Sequence, residues 1–409
     1  MPEDAAPAVR ALSNRDIPAA LDLIYAEWAK IPRACQEQMI RRDPWRHRQR
    51  SFGAFVGGRL VAHARFHYRP VRINRAILRM VGVCEVVTHP DYRRRGLGHR
   101  VLKAALQWMH SSGVHFTMLY TGVHPFYAAL GWGTLAQDIC YVPAGSIPQL
   151  GEAGYRIAHL PIEQTPPTFA TIYQQSCGQH PISLLRTPAY WRNWPRWAKG
   201  NLWFGLLDDL WTVASKDDTV VAYGGIQRSI LKDGSVGIVE ACALPGHQAA
   251  LFDIHDDLIA RCRQAGGDLV ELNLPPDHPF VSRLAPIGRH TINNSAMVRV
   301  VDLPGLLDVL LPELNDRSST LRAPARVRLE SDLGSAALAA GAGSVTLDDS
   351  TQASRASLTP AGLGSLLLGF RAAPELAAQG EIEAKPAVIE LLDLLFPCQR
   401  SHYWQIDHF

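Results

Sequence analysis

Residues 83–109 read VCEVVTHPDYRRRGLGHRVLKAALQWM, and this stretch decides the fold around it. The β-branched run before Pro90 predicts a strand, and the apolar residues at helical spacing after Gly98 predict a helix. A turn with three arginines and two glycines joins them. Because proline cannot donate to a strand ladder, we expect the strand to end at Pro90 and to splay away from its neighbour.

The turn has the composition of an anion-binding site. Gly96 and Gly98 let the backbone approach a ligand closely, and the start of a helix offers free N–H groups with partial positive charge. Arg94 and Arg95 supply countercharge and forked donors. The spacing is neither that of a P-loop nor that of a dinucleotide fingerprint. We therefore predict a phosphate-bearing ligand of another kind; the alternative is a basic surface turn with a glycine break.

Helix and strand signals alternate on both sides of this turn. The predicted elements are a helix over 17–29, two strands within 51–68 that turn at Gly57-Gly58, a strand over 77–88, a helix over 96–111, a strand over 115–120 and a short helix over 125–130. This alternation predicts a mixed α/β unit.

The same order of elements recurs, more weakly, in the second third of the chain. A hairpin pattern over 212–230 turns at Asp217-Asp218, and HPFVSRLAPIG from His278 resembles HPFYAALGWG from His124. LPGHQAA stands where RRRGLG would be expected. We therefore predict an internal duplication in which both copies share one fold and only the first binds the phosphate-bearing ligand.

A third unit begins near residue 304, where Leu, Ala and Gly become frequent. LTPAGLGSLLLGF and PAVIELLDLLFP predict helices, and VRLE and SVTLDD before them predict strands. The chain ends in the aromatic segment HYWQIDHF, which we expect to be docked on the protein. The predicted units are thus 1–150, 151–303 and 304–409.

Composition excludes several classes of protein. A net charge of +3 over 409 residues argues against a nucleic-acid-coating chain. No apolar run reaches the ~18–20 residues that span a bilayer, so we expect no membrane segment. The seven cysteines are scattered, and without CxxC or HExxH we expect neither a disulfide framework nor a metal site. The N-terminus lacks the apolar core of a signal peptide, which predicts a cytoplasmic protein.

In two motifs the chain resembles the GNAT acetyltransferases. RRRGLG at 93–98 fits their R/Q-x-x-G-x-G/A turn for the acyl-CoA pyrophosphate, and FYAALGW at 126–132 resembles their FYxxxGF element. Over its whole length the chain resembles the Eis (enhanced intracellular survival) type. The resemblance implies an α/β (α+β) fold with tandem GNAT-like mixed-sheet domains, the second of them degenerate, and a sterol-carrier-like C-terminal α+β domain. It also implies a homo-oligomer, often a hexamer.

The resemblance implies acetyl-CoA as the acyl donor. The strand at 86–88 would pair with the pantetheine arm, the turn would take the pyrophosphate, and the neighbouring strand would border the cofactor. The residues so implied are Val86, Val87, Thr88, Arg94, Arg95, Gly96, Leu97, Gly98, His99, Gly122 and Val123.

Three residues are implied or offered as catalytic. Tyr127 matches the tyrosine that acts as general acid toward the CoA thiolate; the alternative is that it only packs against the cofactor. Eis-type enzymes use their C-terminal carboxylate as proton acceptor, and this chain also ends in phenylalanine, Phe409. Glu85 is a competing base, because strand alternation would place it on one face with Val87. An acidic residue there departs from the Eis type.

The acceptor site is expected at the first helices, around Tyr25, Glu27, Trp28 and Trp45. The resemblance suggests a primary amine of a small molecule, with aminoglycosides as one class. Six arginines between 33 and 50 would repel a polycation if they faced the pocket, whereas on a solvated helix face they would not. The alternatives are acetylation of protein or peptide amines, or a non-catalytic protein that binds CoA or lipid.

Overall fold

The computed structural model describes residues 6–28, 33–150, 154–201, 205–229, 232, 234–348 and 352–409, with every side chain of these ranges except that of Trp197. The strands are β1 (Ala8–Ala11), β2 (Arg50–Val56), β3 (Arg59–Ile73), β4 (Ala76–Thr88), β5 (Phe116–Tyr120), β6 (Gly133–Thr134), β7 (Gln137–Pro143), β8 (Arg156–Pro161), β9 (Ser183–Leu184), β10 (Leu210–Lys216), β11 (Thr219–Arg228), β12 (Ser235–Ala243), β13 (Leu269–Leu272), β14 (Arg289–Asn293), β15 (Ala296–Val300), β16 (Ala325–Ser331), β17 (Gly334–Gly341), β18 (Ser344–Leu347), β19 (Ser354–Leu358) and β20 (Ile382–Ala384). The helices are α1 (Ile17–Glu27), α2 (Arg33–Arg42), α3 (Leu97–Ser111), α4 (His124–Ala128), α5 (Thr168–Gln175), α6 (Pro188–Ala198), α7 (Ala250–Gln264), α8 (Pro279–Leu284), α9 (Leu303–Ser318), α10 (Pro360–Leu367), α11 (Ala373–Ala378) and α12 (Pro386–Leu395). The predicted α/β class is confirmed.

The first sheet has the order β1-β2-β3-β4-β5-β15-β6, and β9 pairs with the far end of β3. The predicted hairpin turn is confirmed, because Gly57 and Gly58 both take positive φ (55° and 81°), as a tight two-residue turn requires. Helix α3 buries the apolar stripe Leu97, Val101, Leu102, Ala105 and Met109. The sequence pattern that predicted this helix is therefore its packing face.

The second sheet repeats the strand order of the first. Written from the same edge it is β8-β10-β11-β12-β13-β7-β14. The hairpin predicted at Asp217-Asp218 is present, with both residues at positive φ (49° and 59°). The recurrence that the sequence indicates is therefore a recurrence of topology.

The two sheets exchange strands near their edges. The chain leaves β6 in the first sheet to form β7 in the second, and it leaves β14 in the second sheet to return as β15 in the first. Each sheet therefore contains strands from both halves of the duplication. The domain ranges 1–150 and 151–303 stay a prediction. Strand β7, which precedes residue 150, belongs to the second sheet, and β15, which follows it, belongs to the first.

The third sheet, β18-β17-β16-β19-β20, belongs to the C-terminal third of the chain. Helix α10 packs closely on the first sheet: a Cβ at Gly364 would lie 2.3 Å from a side-chain carbon of Val298, and one at Gly133 would lie 2.3 Å from the backbone of Ala361. Small residues thus allow close contact between the C-terminal third and the first sheet.

Two further features bear on the expectations from composition. Cys177 and Cys242 form a disulfide, with 5.8 Å between their Cα atoms and a sequence separation of 65. The prediction of no disulfide missed this pair, because only the fold brings the two cysteines together. Within the described ranges, no helix combines the length and apolar character needed to cross a bilayer.

Candidate active site

The centre of the site is the place where β4 and β5 separate. The two strands pair in parallel only from Met80 to Gly82, opposite Phe116 to Met118, yet β4 continues to Thr88. Beyond Gly82 the edge of β4 therefore faces a gap that no strand of the described chain fills. This agrees with the splayed strand that Pro90 predicts, and it leaves backbone hydrogen-bonding groups open to a ligand.

A β-bulge lies on β4 beside this gap. Glu85 and Val86 together stand opposite a single residue of β3, and Glu85 takes a left-handed backbone with φ of 52°. A bulge interrupts the alternation of side chains along a strand. The bulge therefore interrupts the regular alternation from which Glu85 and Val87 were predicted to share one face.

Glu85 is held by Arg65 from the neighbouring strand. The two side chains form an ion pair, and Arg65 is only 2% exposed. Burial raises the pKa of Glu85 above its usual range, although the Arg65 guanidinium acts in the opposite direction. One carboxylate oxygen, Oε2, has no hydrogen-bond partner among the described residues.

The predicted phosphate turn leads directly into α3. Gly96 is the N-cap residue with φ of 70°, Arg94 is also left-handed, and no side chain caps the helix in the described structure. A Cβ at Gly96 would meet no atom within 4 Å. The first N–H groups of α3 are thus open to an incoming anion, so the turn fits a pyrophosphate.

The arginines of this turn differ in their contacts. Arg93 forms an ion pair with Glu27 at 2.7 Å and donates to the carbonyl of Thr88. Arg95 donates to the carbonyl of Asp91. Arg93 thus braces the turn against α1, and Glu27 lies beside the phosphate turn.

The two sequence motifs meet in the fold. A Cβ at Gly98 would lie 2.9 Å from Cζ of Phe126, so glycine permits the contact. The His99 imidazole hydrogen-bonds the Phe126 carbonyl at 2.8 Å and packs on its ring. The His99 side chain is therefore engaged by Phe126, and its backbone N–H is the group that it can offer a ligand.

Tyr127 is half-buried near Cys84 on the free part of β4, and it is not part of the cavity lining. Its ring packs edge-on against Phe126 and Trp132, with centroids 4.9 and 6.1 Å away. Burial and the nearby Cys84 thiol raise the pKa of Tyr127 to about 12. The phenol therefore carries its proton throughout the physiological range.

A cavity of about 750 Å³ opens behind the bulge. All three sheets or their connections contribute to its wall. Its lining includes Trp28, Gln36, Met39, Arg65, Val83, Cys84, Glu85, Tyr120, Gly122, Asn273, Phe370, Arg371, His402, Tyr403, His408 and Phe409. This volume is typical of sites for small organic molecules.

The C-terminal segment forms one end of the cavity, so the predicted docking of the tail is confirmed. The Phe409 ring lies against Gly82, where a Cβ would be 2.4 Å from it. His408 stacks on Tyr120 with centroids 3.9 Å apart, and the Tyr403 hydroxyl donates to the Asp407 carbonyl. Phe409 thus sits at the point where β4 and β5 part.

The residues expected around the acceptor separate into two groups. Trp28 lines the cavity, whereas Tyr25, Glu27 and Trp45 are not part of its lining. Tyr25 is 42% exposed, and Trp45 is buried against Tyr190. The arginines of segment 33–50 are exposed and do not line the cavity, so they form a solvated face.

Two of the expected cofactor residues lie at the end of β5. Gly122 lines the cavity, and Val123 is 62% exposed. Both follow the strand at the point where the gap opens.

Several lining residues were not expected from the sequence, chief among them Arg65, Gln36, Tyr120 and His402. A signal for Arg65 exists in HARFHYR at 63–69, where basic residues alternate with others along one strand. Such alternation indicates a strand with one polar face. Within the described ranges no three His, Cys, Asp or Glu side chains are grouped as metal ligands would be.

Comparison with protein families agrees with this geometry. Residues 8–135 match the family model of the acetyltransferase (GNAT) domain. The N-terminal part of the chain is a GNAT acetyltransferase domain. The chain is accordingly an enzyme of the N-acetyltransferase class. Residues 326–404 match the family model of the sterol carrier protein domain.

Solved structures share the whole architecture. A probable N-acyltransferase of Enterococcus faecalis V583, a conserved protein of unknown function, superposes with a TM-score of 0.75 at 15% identity. A GCN5-related N-acetyltransferase from Anabaena variabilis and Eis1 from Mycobacterium abscessus give 0.72 and 0.71, both at 18% identity. In each case the match covers 99% of this chain and 100% of the other. This likeness places the acetyltransferase domain within a shared three-part fold. No curated protein matches the chain in sequence.

Proposed function

We propose that the protein transfers the acetyl group of acetyl-CoA to a primary amine of a small molecule. The observation that carries this proposal is the gap beyond Gly82. The phosphate turn lies at its outer end, Tyr127 lies near it, and Phe409 closes its inner end at the cavity. An acyl donor held in this gap would have its reacting end next to the cavity.

The residues of the gap fit the parts of acetyl-CoA. We assign the pyrophosphate to the turn from Arg94 to His99, through the backbone N–H groups of the first turn of α3 and the Arg94 and Arg95 side chains. We assign the pantetheine arm to the open edge of β4 at 86–88, with Gly122 and Val123 on the other side. When bound, acetyl-CoA supplies an activated acetyl group as a thioester.

Acetyl transfer to an ammonium requires that two protons leave the nitrogen, one to a base before attack and one as the amide forms, and that one proton reach the departing sulfur. A new C–N bond forms as the C–S bond breaks, and an open N–H of the β4 edge can stabilise the carbonyl oxygen. Tyr127 holds its phenolic proton at pH 7 and can give it to the thiolate. Its raised pKa favours this role only if the proton is transferred as the C–S bond breaks.

Two groups can take the proton of the amine. Phe409 lines the cavity beside Gly82 and would present its α-carboxylate there. Glu85 also lines the cavity, but its carboxylate is ion-paired with Arg65, and this pairing opposes uptake of a proton by Glu85. We propose Phe409 as the base and keep Glu85 as the alternative.

The cavity favours a small acceptor over a protein or peptide amine. Its wall contains residues of the second sheet and of the C-terminal third as well as β4, so the acceptor is surrounded rather than laid in a shallow groove. Homo-oligomer formation, including a hexamer, and a cytoplasmic location stay predictions.

A thiol-release assay with acetyl-CoA tests the proposal. The panel contains aminoglycosides, polyamines, arylamines and lysine peptides, each at matched concentration. We expect amine-dependent release of CoA with at least one small amine, and acetylated product by mass spectrometry. Release with peptides alone would favour the protein-acetylating alternative. Tight acetyl-CoA binding by calorimetry without turnover of any amine would favour the non-catalytic alternative.

A further inference from the structure

Unpartnered polar atoms are concentrated in the cavity. Seven buried side-chain atoms that have no hydrogen-bond partner in the described structure belong to five residues of its lining. They are Gln36 Oε1 and Nε2, Arg65 Nε and Nη1, Glu85 Oε2, Tyr120 Oη and His402 Nε2. Buried polar groups are rarely left unpaired, so such a concentration indicates a site built to hold a polar ligand.

Arg65 is a buried cation in the lining of this site. Its Nη2 pairs with Glu85 and the Cys84 thiol lies close to the guanidinium, but Nε and Nη1 have no oxygen or nitrogen acceptor among the described residues. The neighbouring histidines add no charge, because burial and Arg65 lower the pKa values of His63 and His67 to about 3. Asp43 neutralises the next arginine, Arg69, at 2.7 Å.

The remaining charges of the cavity nearly balance each other. Its lining contains three arginines (Arg65, Arg371 and Arg400) and three side-chain carboxylates (Glu85, Asp138 and Glu375), and the α-carboxylate of Phe409 adds one further negative charge. Burial lowers the pKa values of His402 and His408 to about 3, so both are neutral at pH 7. A polycation would thus bring several positive charges into a site that has only one carboxylate in excess of its arginines, and burying the unmatched charges is costly.

We infer that the acceptor is an amine that also carries a carboxylate, and that Arg65 binds this carboxylate. The inference rests on the proposed function, since it names the acceptor of the same reaction. A guanidinium offers only donors, and a carboxylate is the acceptor that best matches them. Gln36 and Tyr120 supply further hydrogen bonds to the body of the acceptor. The acceptor brings one ammonium and one carboxylate, so it leaves the net charge of the cavity unchanged.

Three para-substituted benzylamines test this inference. 4-(Aminomethyl)benzoate, 4-methylbenzylamine and 1,4-bis(aminomethyl)benzene share one amine and one ring but end in a carboxylate, a methyl group and a second ammonium. We expect kcat/KM to be at least tenfold higher for the carboxylated amine than for the methyl compound, and lowest for the diamine. The diamine as best substrate, or no turnover of the carboxylated probe, would overturn the inference. Thiol release with other amines in the same run would leave the proposed function standing.

Arg65→Lys tests the assigned residue. Lysine keeps a positive charge beside Glu85 but loses the guanidinium donors. We expect the preference for the carboxylated over the methyl probe to fall at least tenfold. Arg69→Lys is the matched control, because Arg69 is buried on the same strand, pairs with Asp43 and does not line the cavity. It should keep the preference of the unaltered protein. An unchanged preference in a folded Arg65→Lys protein would contradict the assignment. If that variant does not fold, the ranking of the three probes by the unaltered protein decides.

Discussion

Tyr127 lies near the gap, and burial raises the pKa of its phenol, so the hydroxyl is protonated at pH 7. Removing its hydroxyl should therefore affect the chemical step more than binding. We expect Tyr127→Phe to lower kcat by about a hundredfold, within the range found for general acids, and to leave the KM for acetyl-CoA within about twofold. Steady-state kinetics with the best amine of the panel measure both. An equal loss in a Trp132 variant, which alters only the packing of the ring, would mean that Tyr127 acts through packing.

Glu85 gives the reaction a distinctive pH dependence if it is the base. A base must be ionised, and burial raises its pKa, so activity would fall as pH decreases through a value above the usual carboxyl range. Glu85→Gln would then lower kcat/KM strongly and abolish this acidic limb. If Phe409 is the base, the Glu85→Gln protein retains the limb. The pH profile of kcat/KM for both proteins separates the two assignments.

The site was predictable at the residue scale only where its chemistry is local in sequence. Gly96, Gly98 and Tyr127 belong to two short motifs, and the fold places these motifs in contact. Gln36 and His402 belong to no recognisable sequence motif, and a single glutamine or histidine in a sequence does not show whether its side chain lies in a cavity or on the surface. Their importance arises from being buried in one cavity, which only the tertiary structure shows.

At the scale of elements, the parting of β4 from β5 depends on Gly82. Its backbone is extended, so alanine would be tolerated by the strand itself, but the new methyl group would overlap the Phe409 ring. We expect Gly82→Ala to displace the tail and to lower kcat about ten- to hundredfold, since small displacements of catalytic groups have effects of this size. Acetyl-CoA affinity, measured by calorimetry, should change little.

A double substitution controls for general damage to the strand. In Gly82→Ala with Phe409→Ala the overlap is removed while the last residue still ends in a carboxylate. We expect the double variant to regain part of the kcat lost by Gly82→Ala alone, so that the two effects are not additive. A double variant less active than either single variant would show that the ring itself, rather than its position, is needed.

The bounds of the elements follow from local patterns, but their sheet membership does not. The hairpin at Gly57-Gly58 and the apolar stripe of α3 predicted those elements closely. By contrast, nothing in the apolar sequence of β7 or β15 shows that each pairs with the other half of the duplication. Strand pairing across such distances is decided by how the whole chain packs. The bulge at Glu85 was missed because a prediction from alternation assumes a regular strand without an inserted residue.

At the scale of the whole molecule, a buried charge cluster ties the tail to the second sheet. Arg186, fully buried, bonds Asp407 through Nε at 2.9 Å and Glu240 through Nη1 at 2.8 Å. Tyr190 and Tyr223 donate to the two carboxylates at 2.6 Å. Asp407 lies two residues before Phe409, so this cluster fixes the end of the chain relative to the gap.

Substitutions of Arg186 and of Asp407 should destabilise the protein to different extents. Arg186→Met would leave two carboxylates buried together, and we expect a loss of about 3–5 kcal/mol in the free energy of unfolding. Asp407→Asn keeps the Arg186–Glu240 pair and removes one excess negative charge, so a smaller loss of about 1–3 kcal/mol is expected. Denaturant unfolding of both proteins measures the difference.

Asp407→Asn should also show whether Asp407 positions the catalytic end. If the cluster holds Phe409 in place, kcat falls while the KM for acetyl-CoA stays near its original value. Glu313→Gln is the matched control, because Glu313 is a buried carboxylate that binds Arg75 and joins α9 to the β3–β4 turn, away from the tail. Glu313→Gln should lower the free energy of unfolding without lowering kcat selectively at an unchanged KM for acetyl-CoA. If both variants lose activity in proportion to stability, Asp407 is structural only, and the position of Phe409 must be set by its own contacts with Gly82 and Tyr120.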